Sequence, residues 1–485
     1  MKTSYRVCAL SGATANLLLL GTGLHAQPSQ PADNRLNVLM LIADDMRPEM
    51  GCYGIPYVQT PNLDRLAATG VLFQNAYCNV PVSGASRASL LTGVYPNYPV
   101  RFTSYDSYAS REAPRAVSLP GWFTQHGYHT VSNGKVFHNI TDHAYDWSEY
   151  PWRVNPEGYG SDWAEYNKWE LWMNKESGCT LNPKTMRGPF CESADVPDDA
   201  YDDGKATERT IADLARLASG EEPFFLACGF WRPHLPFNAP KRYWDLYDRQ
   251  LIPLAENQYR SEGLPKEVVS PTEIFSYARV TDTSDEDFQR EAKHGYYASV
   301  SYVDAQVGRI LHALDSLGLA DNTVVLFFGD HGWQLGEHSF WGKHTLMERA
   351  THVPLLVRAP GMKQGRTLSP VEFVDLFPTL CDLCGLPQPE NQLDGTSFVP
   401  ILRDLNHRTK EHVYIQWQGG DDVSDEVYNY AVWKKPDGTV REMLFDHRRD
   451  PEENTNAASE SAYRKVKRRL TRFIREKRAA LRSFK

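Results

Sequence analysis

Two acidic clusters in this sequence directly follow runs of apolar residues. Asp44-Asp45 ends the run that begins at Asn37, and Asp330-His331 comes shortly after the run 323–328. Nearly continuous apolar runs are typical of buried parallel strands, whose carboxyl ends meet at one edge of a sheet. Three carboxylates at one edge repel one another unless a cation lies between them. We therefore expect a divalent metal with oxygen ligands, Ca²⁺ or Mg²⁺, while His331 leaves room for a softer ion.

Cationic side chains are predicted to reach the same edge. Lys135 and His138 follow a short predicted strand at 128–132, and His234 follows a second one at 223–228. So many cations suit a tetrahedral oxyanion, which Arg and Lys hold through charge-assisted hydrogen bonds. The cationic set is Arg87, Lys135, His138, His234 and Lys343, with His344 as a further candidate.

Three of these residues also have plainer interpretations. Lys343 could be a surface lysine, and His234 could be a packed residue next to Pro233. His344 stands in a Gly/Trp-containing loop, and there we favour an ordinary loop histidine. One strand that ends in a charged residue means little, but four that end in acids and bases are hard to explain by packing alone.

A small hydroxyl residue completes the set. Ser83 stands in a Ser/Gly/Ala turn before a helix-capable run, with Arg87 four residues later. A helix N-terminus favours an anion, so this is a suitable place for a nucleophile, although an ordinary N-cap would look the same. Metal, nucleophile, anion clamp and a spare histidine together indicate ester hydrolysis at sulfur or phosphorus.

The elements that position these residues alternate between strand and helix. From residue 37 to about 390 this alternation predicts an α/β domain with a large, mostly parallel sheet flanked by helices. After about 400 the pattern changes to short strands at 414–418, 428–433 and 440–444, followed by a very basic helix at 463–485. We expect a smaller α+β subdomain there. The basic run is interpreted as a solvated helix face rather than a nucleic-acid patch.

The composition limits the partners and the compartment. The 485 residues carry a net charge of −9, which argues against nucleic-acid binding, although a local cationic pocket can still bind an anion. Residues 1–26 have a positive start, an apolar stretch and a small-residue cleavage site, which predicts a signal peptide. No later run is apolar and long enough to span a bilayer. We expect an exported protein without stable membrane association.

The cysteines and tryptophans leave two points open. Of the 8 cysteines, Cys179 and Cys191 flank a loop and could pair in an oxidising compartment. Cys381 and Cys384 form a C-x-x-C after an apolar run, and two packed thiols are favoured over a redox pair. The tryptophans between Trp147 and Trp172 could line a sugar cleft or simply pack an inserted segment.

Several of these motifs together resemble the type I sulfatases of the alkaline phosphatase superfamily, and within them the iduronate-2-sulfatase-like branch. The resemblance covers nearly the full length. It rests on the following stretches: N-V-L-M-L-I-A-D-D-M-R-P-E-M-G-C-Y-G from Asn37, P-N-L-D-R-L-A from Pro61, S-G-A-S-R-A-S-L-L-T-G from Ser83, G-K-V-F-H from Gly134, R-P-H-L-P-F from Arg232, D-H-G-W-Q-L-G-E-H from Asp330 and L-F-D from Leu444.

The resemblance implies an alkaline phosphatase-like fold with a catalytic domain at 27–400 and a C-terminal subdomain at 401–485 that holds a small antiparallel sheet and the terminal helix. It also implies that Ser83 is converted to Cα-formylglycine (3-oxoalanine), whose hydrate attacks sulfur and then eliminates sulfate. The implied metal ligands are Asp44, Asp45, Ser83, Asp330 and His331.

The remaining implied roles concern the substrate. Arg87 would activate the diol and His138 would assist it. Lys135 and Lys343 would bind the sulfate, and His234 would bind the substrate and protonate the leaving alcohol, a general-acid role. The implied substrate is a sulfated polysaccharide or oligosaccharide.

Two positions depart from the common family signature. Ala85 replaces proline, and serine rather than cysteine stands at position 83. A Ser-type member implies an anaerobic-type radical maturase as partner, and hence a bacterial protein of the periplasm or the medium. Two alternatives stay open: a phosphomonoesterase or phosphodiesterase of the same superfamily that uses unmodified Ser83, and an inactive homologue that binds sulfated glycans.

Overall fold

The computed structural model describes residues 35–154 and 181–481, and a mixed eight-stranded sheet organises them. The strands of the chain's first half are β1 (Asn37–Asp44), β2 (Val71–Tyr77), β3 (His129–Gly134), β4 (Cys191–Ala194), β5 (Phe224–Pro233) and β6 (Phe237–Pro240). Those of the second half are β7 (Thr323–Gly329), β8 (Gln334–Leu335), β9 (Trp341–Gly342), β10 (His352–Arg358), β11 (Gly365–Thr367), β12 (Val371–Glu372), β13 (Val413–Trp417), β14 (Gly420–Ser424), β15 (Tyr428–Lys434) and β16 (Val440–Asp446).

The large sheet has the strand order β11-β2-β10-β7-β1-β5-β3, with β12 also paired to β2. Adjacent strands in this sheet run parallel, except that β10 is antiparallel to both β2 and β7. The sequence of β1 accounts for its central place in the sheet, because it has apolar side chains on both faces. Leu39 and Leu41 pack on one face and Val38 and Met40 on the other, all without exposure. The prediction of a mostly parallel α/β sheet is confirmed.

Helices cover both faces of this sheet, and the last helix packs on a separate C-terminal sheet. They are α1 (Pro61–Thr69), α2 (Ser83–Thr92), α3 (Ala109–Glu112), α4 (Leu119–Gln125), α5 (Asp202–Leu217), α6 (Lys241–Trp244), α7 (Glu286–Ser316), α8 (Glu348–Thr351), α9 (Leu376–Leu383), α10 (Val399–Arg403) and α11 (Arg464–Ala480). The long helix α7 begins at Glu286, because Asp285 caps it by accepting a hydrogen bond from the Phe288 amide. None of the helices described is both long and apolar enough to cross a membrane.

The C-terminal region holds a separate antiparallel meander, β13-β14-β15-β16. Strand β14 is not among the predicted strands, since its first residues are Gly420, Asp421 and Asp422, which have low β-propensity. A tight turn forces the pairing nevertheless: Gln418 and Gly419 both have positive φ, 44° and 77°, as a two-residue hairpin requires. Helix α11 packs Leu470 and Ile474 onto this sheet.

The cysteines among the described residues are all buried, whereas the described tryptophans are buried or half-buried. Cys381 and Cys384 are buried free thiols, as predicted, and Trp147 is buried in the core. Cys179, Trp163, Trp169 and Trp172 lie outside the described residues, so the Cys179–Cys191 pairing and most of the tryptophan cleft stay predictions.

Candidate active site

Four side chains with metal-binding atoms meet at the carboxyl end of the central strands. They come from the ends of β1 and β7, which are neighbours in the sheet. Asp45 has φ 61°, so the chain turns sharply as it leaves β1 and both carboxylates of the pair face the same point. One ligand atom from each residue lies within 4.8 Å of the others, and all four residues are fully buried. The group is Asp44, Asp45, Asp330 and His331.

Ser83 lies beside this group at the first position of α2. Its hydroxyl donates to Oδ1 of Asp44 at 2.8 Å and lies 2.9 Å from Nε2 of His331. The residue after it must be glycine, because a Cβ at Gly84 would lie 2.0 Å from the carbonyl oxygen of Tyr105. The N-cap position of α2 is occupied by Val82, whose side chain makes no capping hydrogen bond, and Ser83 is the first residue of the helix proper. An ordinary cap does not explain this serine.

Arg87 lies one turn further along α2 and joins the two sides of the site. Its Nε donates to Oδ2 of Asp330 at 2.8 Å, and its Nη1 donates to the carbonyl oxygens of Lys135 and Val136. The guanidinium has no exposure. A buried cation held by one carboxylate and two carbonyl oxygens fixes geometry more than it adds stability.

Two lysines point into the cluster, one directly after β3 and one directly after β9. Lys135 donates to Oδ2 of Asp44, and Lys343 donates to Oδ1 of Asp45 at 2.9 Å. Each ammonium also lies over an indole ring, of Trp231 at 4.5 Å and of Trp333 at 5.1 Å respectively. Lys343 is only 4% exposed, so the surface-lysine interpretation is wrong.

His234 directly follows β5 and faces the same centre. Its Nδ1 lies 2.6 Å from the carbonyl oxygen of Leu235, and its Nε2 lies 3.1 Å from Oε1 of Glu273 and 3.8 Å from Oδ2 of Asp45. Both ring nitrogens therefore have an acceptor, an arrangement that suits a ring which carries and releases a proton at Nε2. His138 is buried in the pocket wall.

Charge and burial oppose each other in this cluster. Burial would raise the pKa of Asp44, but Lys135, His234, Arg87 and Lys343 outweigh burial and hold it well below its ordinary value. The pKa of Asp45 goes well above its ordinary value because burial outweighs the attraction of Lys343. Burial also raises the pKa of Asp330 and lowers that of His331. The lysines and Arg87 thus compensate the carboxylates only in part.

A pocket of about 360 Å³ opens onto these groups. Ser83, Lys135, His138, His234 and Lys343 all line it, as the sequence predicted for one edge of the sheet. The pocket also contains residues that the sequence analysis missed or set aside. They are Tyr105, Arg187, Glu273 and His344.

Glu273 is the most informative of these. It begins the 3₁₀-helix Glu273–Ser276 in a loop-rich region without periodicity, so no sequence signal marks it. Its carboxylate holds Nε2 of His234 and Nζ of Lys343, each at 3.1 Å. His344 stacks on Trp417 with ring centroids 5.3 Å apart, so the loop-histidine interpretation overlooked its place in the pocket.

Comparison with known proteins gives one consistent family. The Sulfatase family model matches residues 36–386, and the model described as N-sulphoglucosamine sulphohydrolase, C-terminal, matches residues 336–480. The chain is 36% identical over 439 residues to human iduronate 2-sulfatase, which covers 81% of this chain and 76% of that one. It is 32% identical over 436 residues to a sulfatase of Formosa agariphila, covering 87% and 83%.

Solved structures share the fold. One is described as a complex with its substrate D-glucosamine-2-N,6-O-disulfate; its TM-score is 0.71 at 21% identity, with 92% of this chain and 98% of that chain covered. Another is the phosphonate monoester hydrolase of Agrobacterium radiobacter, with TM-score 0.73 at 23% identity and coverage of 92% and 96%. The chain therefore belongs to the sulfatase family, as a type I sulfatase of the alkaline phosphatase superfamily, and it is a sulfuric ester hydrolase.

Proposed function

We propose that this enzyme removes sulfate from sulfated polysaccharides or the oligosaccharides derived from them, in the manner of an iduronate 2-sulfatase. The observation that carries the proposal is the pocket, where Ser83, two lysines and His234 converge above a fully buried four-ligand cluster. The 36% identity to iduronate 2-sulfatase supports a carbohydrate substrate. The fold likeness to a protein whose substrate is a disulfated glucosamine is consistent with it.

The four-ligand cluster fits a divalent cation. Three carboxylates and one imidazole come within 4.8 Å of one another without exposure to water, and the raised pKa values of Asp45 and Asp330 mark buried carboxylates whose charge is compensated only in part. Such oxygen-rich sets suit Ca²⁺, with Mg²⁺ as the second choice. Asp44, Asp45, Asp330 and His331 would hold the ion together with Ser83, and the ion would supply Lewis-acid polarisation of the sulfate.

Ser83 is proposed to be converted to Cα-formylglycine by an anaerobic-type radical maturase. Its position supports this proposal: Ser83 is the first residue of α2 and its hydroxyl lies 2.8 Å from Oδ1 of Asp44, so the modified group would lie beside the proposed metal ligands. The hydrated aldehyde would supply a nucleophile that can release sulfate, which an ordinary serine ester cannot readily do.

The chain's other residues bind the sulfate and move protons. Arg87 is fixed by Asp330 and activates the group at position 83, with assistance from His138. Lys135 and Lys343 exchange part of their contact with Asp44 and Asp45 for the sulfate oxygens. His234 gives the proton on Nε2 to the leaving oxygen of the sugar, and Glu273 holds that nitrogen toward the pocket.

The proposal includes an exported location and a two-part chain. Residues 1–26 would be removed as a signal peptide, which leaves a catalytic domain to about 400 and a C-terminal subdomain from 401 in the periplasm or the medium. A mass measurement of the mature N-terminus from a bacterial culture checks this part: a chain that still begins at Met1 contradicts it.

Desulfation of a panel of defined sulfated saccharides tests the activity, with the protein coexpressed with a radical maturase. We expect one class of sulfated sugar to be turned over. His234→Ala should lower that turnover by about 10²- to 10⁴-fold, the usual contribution of a general acid. Unchanged turnover in His234→Ala would contradict the assigned role, and no turnover of any sulfated sugar would contradict the carbohydrate substrate.

Phosphate ester hydrolysis with unmodified Ser83 is the second candidate. The hydroxyl of Ser83 already lies against Asp44 and His331, as a serine nucleophile would. Peptide mass spectrometry distinguishes the two. A peptide with two hydrogens fewer at Ser83 supports the sulfatase mechanism, and a phosphorylated Ser83 supports the phosphatase.

A further inference from the structure

The C-terminal helix α11 carries an unusual concentration of positive charge. Nine of its 17 residues are Lys or Arg and one is Glu, although the whole chain has a net charge of −9. Three of the nine make hydrogen bonds or ion pairs with other parts of the fold. Lys467 pairs with Glu442 at 2.8 Å, Arg478 pairs with Asp421 at 2.8 Å, and Lys477 donates to the Tyr95 hydroxyl at 2.9 Å.

The other six are exposed along one side of the helix. Arg472 reaches Glu476 only at 3.7 Å, with both side chains 66% exposed. Most of the six line a shallow groove of about 900 Å³ together with Lys467, Thr471 and Glu442. From Arg464 to Arg475 this surface is about 16 Å long, at about 1.5 Å per helical residue. The exposed residues are Arg464, Lys465, Arg468, Arg469, Arg472 and Arg475.

This concentration of positive charge does not stabilise the helix itself. The first turn of α11 contains Arg464, Lys465 and Lys467 and no acidic residue, so cations lie at the positive end of the helix dipole. Arg464 and Arg468 also repel each other as an i,i+4 pair. The other long helices follow the opposite rule: α5 begins with Asp202-Asp203 and α7 with Glu286-Asp287. Charges that oppose the helix dipole and repel one another indicate that these side chains have a function outside the helix.

We propose that this face of α11 binds the sulfated polysaccharide chain at a distance from the active site, as a docking surface for the polymer. The guanidinium groups match sulfate oxygens by bidentate, charge-assisted hydrogen bonds. The choice of a sulfated glycan as the occupant rests on the proposed function. A surface of this length contacts several anionic groups of one chain while another group of the same polymer occupies the pocket.

The position of α11 supports the same occupant. Arg478, near the carboxyl end of the helix, is tied to Asp421 in β14 and to the carbonyl oxygen of Tyr98. The neighbouring strand β13 ends at Trp417, which stacks on His344 in the pocket wall. A short series of contacts thus connects the carboxyl end of α11 to the active-site wall.

Two other anionic partners fit less well. A membrane-surface helix presents large apolar residues to lipid, but Leu470, Ile474 and Phe473 pack against the sheet instead. Single-stranded nucleic acid is held by exposed aromatic rings, and none of the residues exposed on α11 is aromatic. Both partners are outcomes of the test.

The test compares two triple variants in the full-length Ser83→Ala protein, so that binding is measured without turnover. The first is Arg464→Gln/Arg468→Gln/Arg475→Gln. The matched control is Arg115→Gln/Lys266→Gln/Lys363→Gln, which removes the same charge from exposed residues elsewhere. The probe is size-fractionated dextran sulfate, and the readout is Kd across a series of salt concentrations.

We expect the helix variant to bind dextran sulfate about tenfold more weakly, with a salt slope lowered by about two to three because fewer counterions are released. The control should change less than twofold. Equal weakening in both variants, or none in the helix variant, overturns the proposal. The proposal is also overturned if the parent binds a single-stranded DNA oligonucleotide or phosphatidylserine vesicles more tightly than dextran sulfate, and the helix variant loses that binding.

A second measurement uses the enzyme without the Ser83→Ala substitution, coexpressed with a radical maturase. The helix variant should keep the turnover of a sulfated monosaccharide and raise KM for the sulfated polymer. If no sulfated sugar is turned over at all, the proposed function fails while the dextran sulfate result still decides whether this surface binds polyanions. Equal KM for the polymer in the parent and the helix variant contradicts a role in catalysis on polymers.

Discussion

Two regions of this protein are rich in cations and use them in opposite ways. In the central charge cluster (Asp44, Asp45, Ser83, Arg87, Lys135, Glu273, Asp330, His331 and Lys343) every Lys or Arg is buried and paired with a carboxylate. On the exposed face of α11 the Arg and Lys side chains are in water and close to one another. The same residue types therefore give a rigid site in one place and an adaptable surface in the other.

The difference follows from solvation. A buried ion that loses its partner keeps the full cost of desolvation, so the cluster holds its members in one arrangement. An exposed cation loses little when its partner leaves, because water screens it. Substitutions should consequently have large effects in the cluster and small ones on the helix, and the variants below test this from the largest effect to the smallest.

Asp330→Asn should have the largest effect. It leaves the Arg87 guanidinium buried without its carboxylate and removes one proposed metal ligand. We expect at least about 10³-fold lower turnover of the sulfated sugar and about 3 kcal/mol less stability in urea unfolding. Asp382→Asn, an exposed aspartate on α9, is the control and should change neither. Near-parental stability in Asp330→Asn would contradict the idea that the buried Arg87–Asp330 pair holds the cluster in one arrangement.

Glu273→Gln should come next, since it keeps the shape but weakens the hold on His234 and Lys343. We expect about 10- to 100-fold lower turnover of a sulfated sugar, a fraction of the contribution of a general acid. The loss should be smaller with an aryl sulfate, whose phenolate leaves without a proton. The exposed Glu256→Gln is the control. Equal losses on both substrates would show that Glu273 does not act through His234.

His447 is intermediate in burial between the central charge cluster and the exposed face of α11. It is partly buried after β16 and pairs with Glu453 at 3.2 Å. Burial opposes its charge, but Glu453 and Glu348 outweigh burial and raise its pKa to about 9. Because the folded-state pKa lies above the unfolded value, this stabilisation is fully present below about pH 6.5 and is lost as pH rises through about 9.

His447→Gln should therefore lower the free energy of unfolding by about 2 kcal/mol at pH 7 and by little at pH 10. Urea unfolding of both proteins at several pH values measures this difference. His407→Gln, at an exposed histidine, is the control variant. A difference that is constant from pH 6 to pH 10 would contradict the titration of His447.

The sequence predicted the cluster better than its surroundings, and the reason is physical. Strand β1 is buried on both faces, so its apolar run identifies it and places Asp44 and Asp45 at its end. The same logic found Asp330 and His234. It could not find Glu273, because a short 3₁₀-helix in a loop has neither periodicity nor a motif. Only the folded chain brings that residue beside His234.

The C-terminal sheet was predicted for a similar reason and missed at one strand. Strands β13, β15 and β16 contain aromatic and β-branched residues, whereas β14 is formed because both of its neighbours pair with it. The helix α11 was predicted from its basic run, but its exposed face was interpreted as ordinary solvation. That interpretation does not explain why the cations crowd the end of the helix where the dipole opposes them.

The smallest predicted effect is the most direct test of the difference between the buried cluster and the exposed face of α11. Because Arg464, Arg468 and Arg475 repel their neighbours, Arg464→Gln/Arg468→Gln/Arg475→Gln should leave the free energy of unfolding unchanged or raise it by up to about 1 kcal/mol at low salt. The gain should disappear at high salt, where the repulsion is screened. Arg478→Gln, which breaks the pair with Asp421, should instead lower stability. A large loss of stability in the triple variant would mean that these cations stabilise the fold, and the polymer-binding surface would then lose its main physical argument.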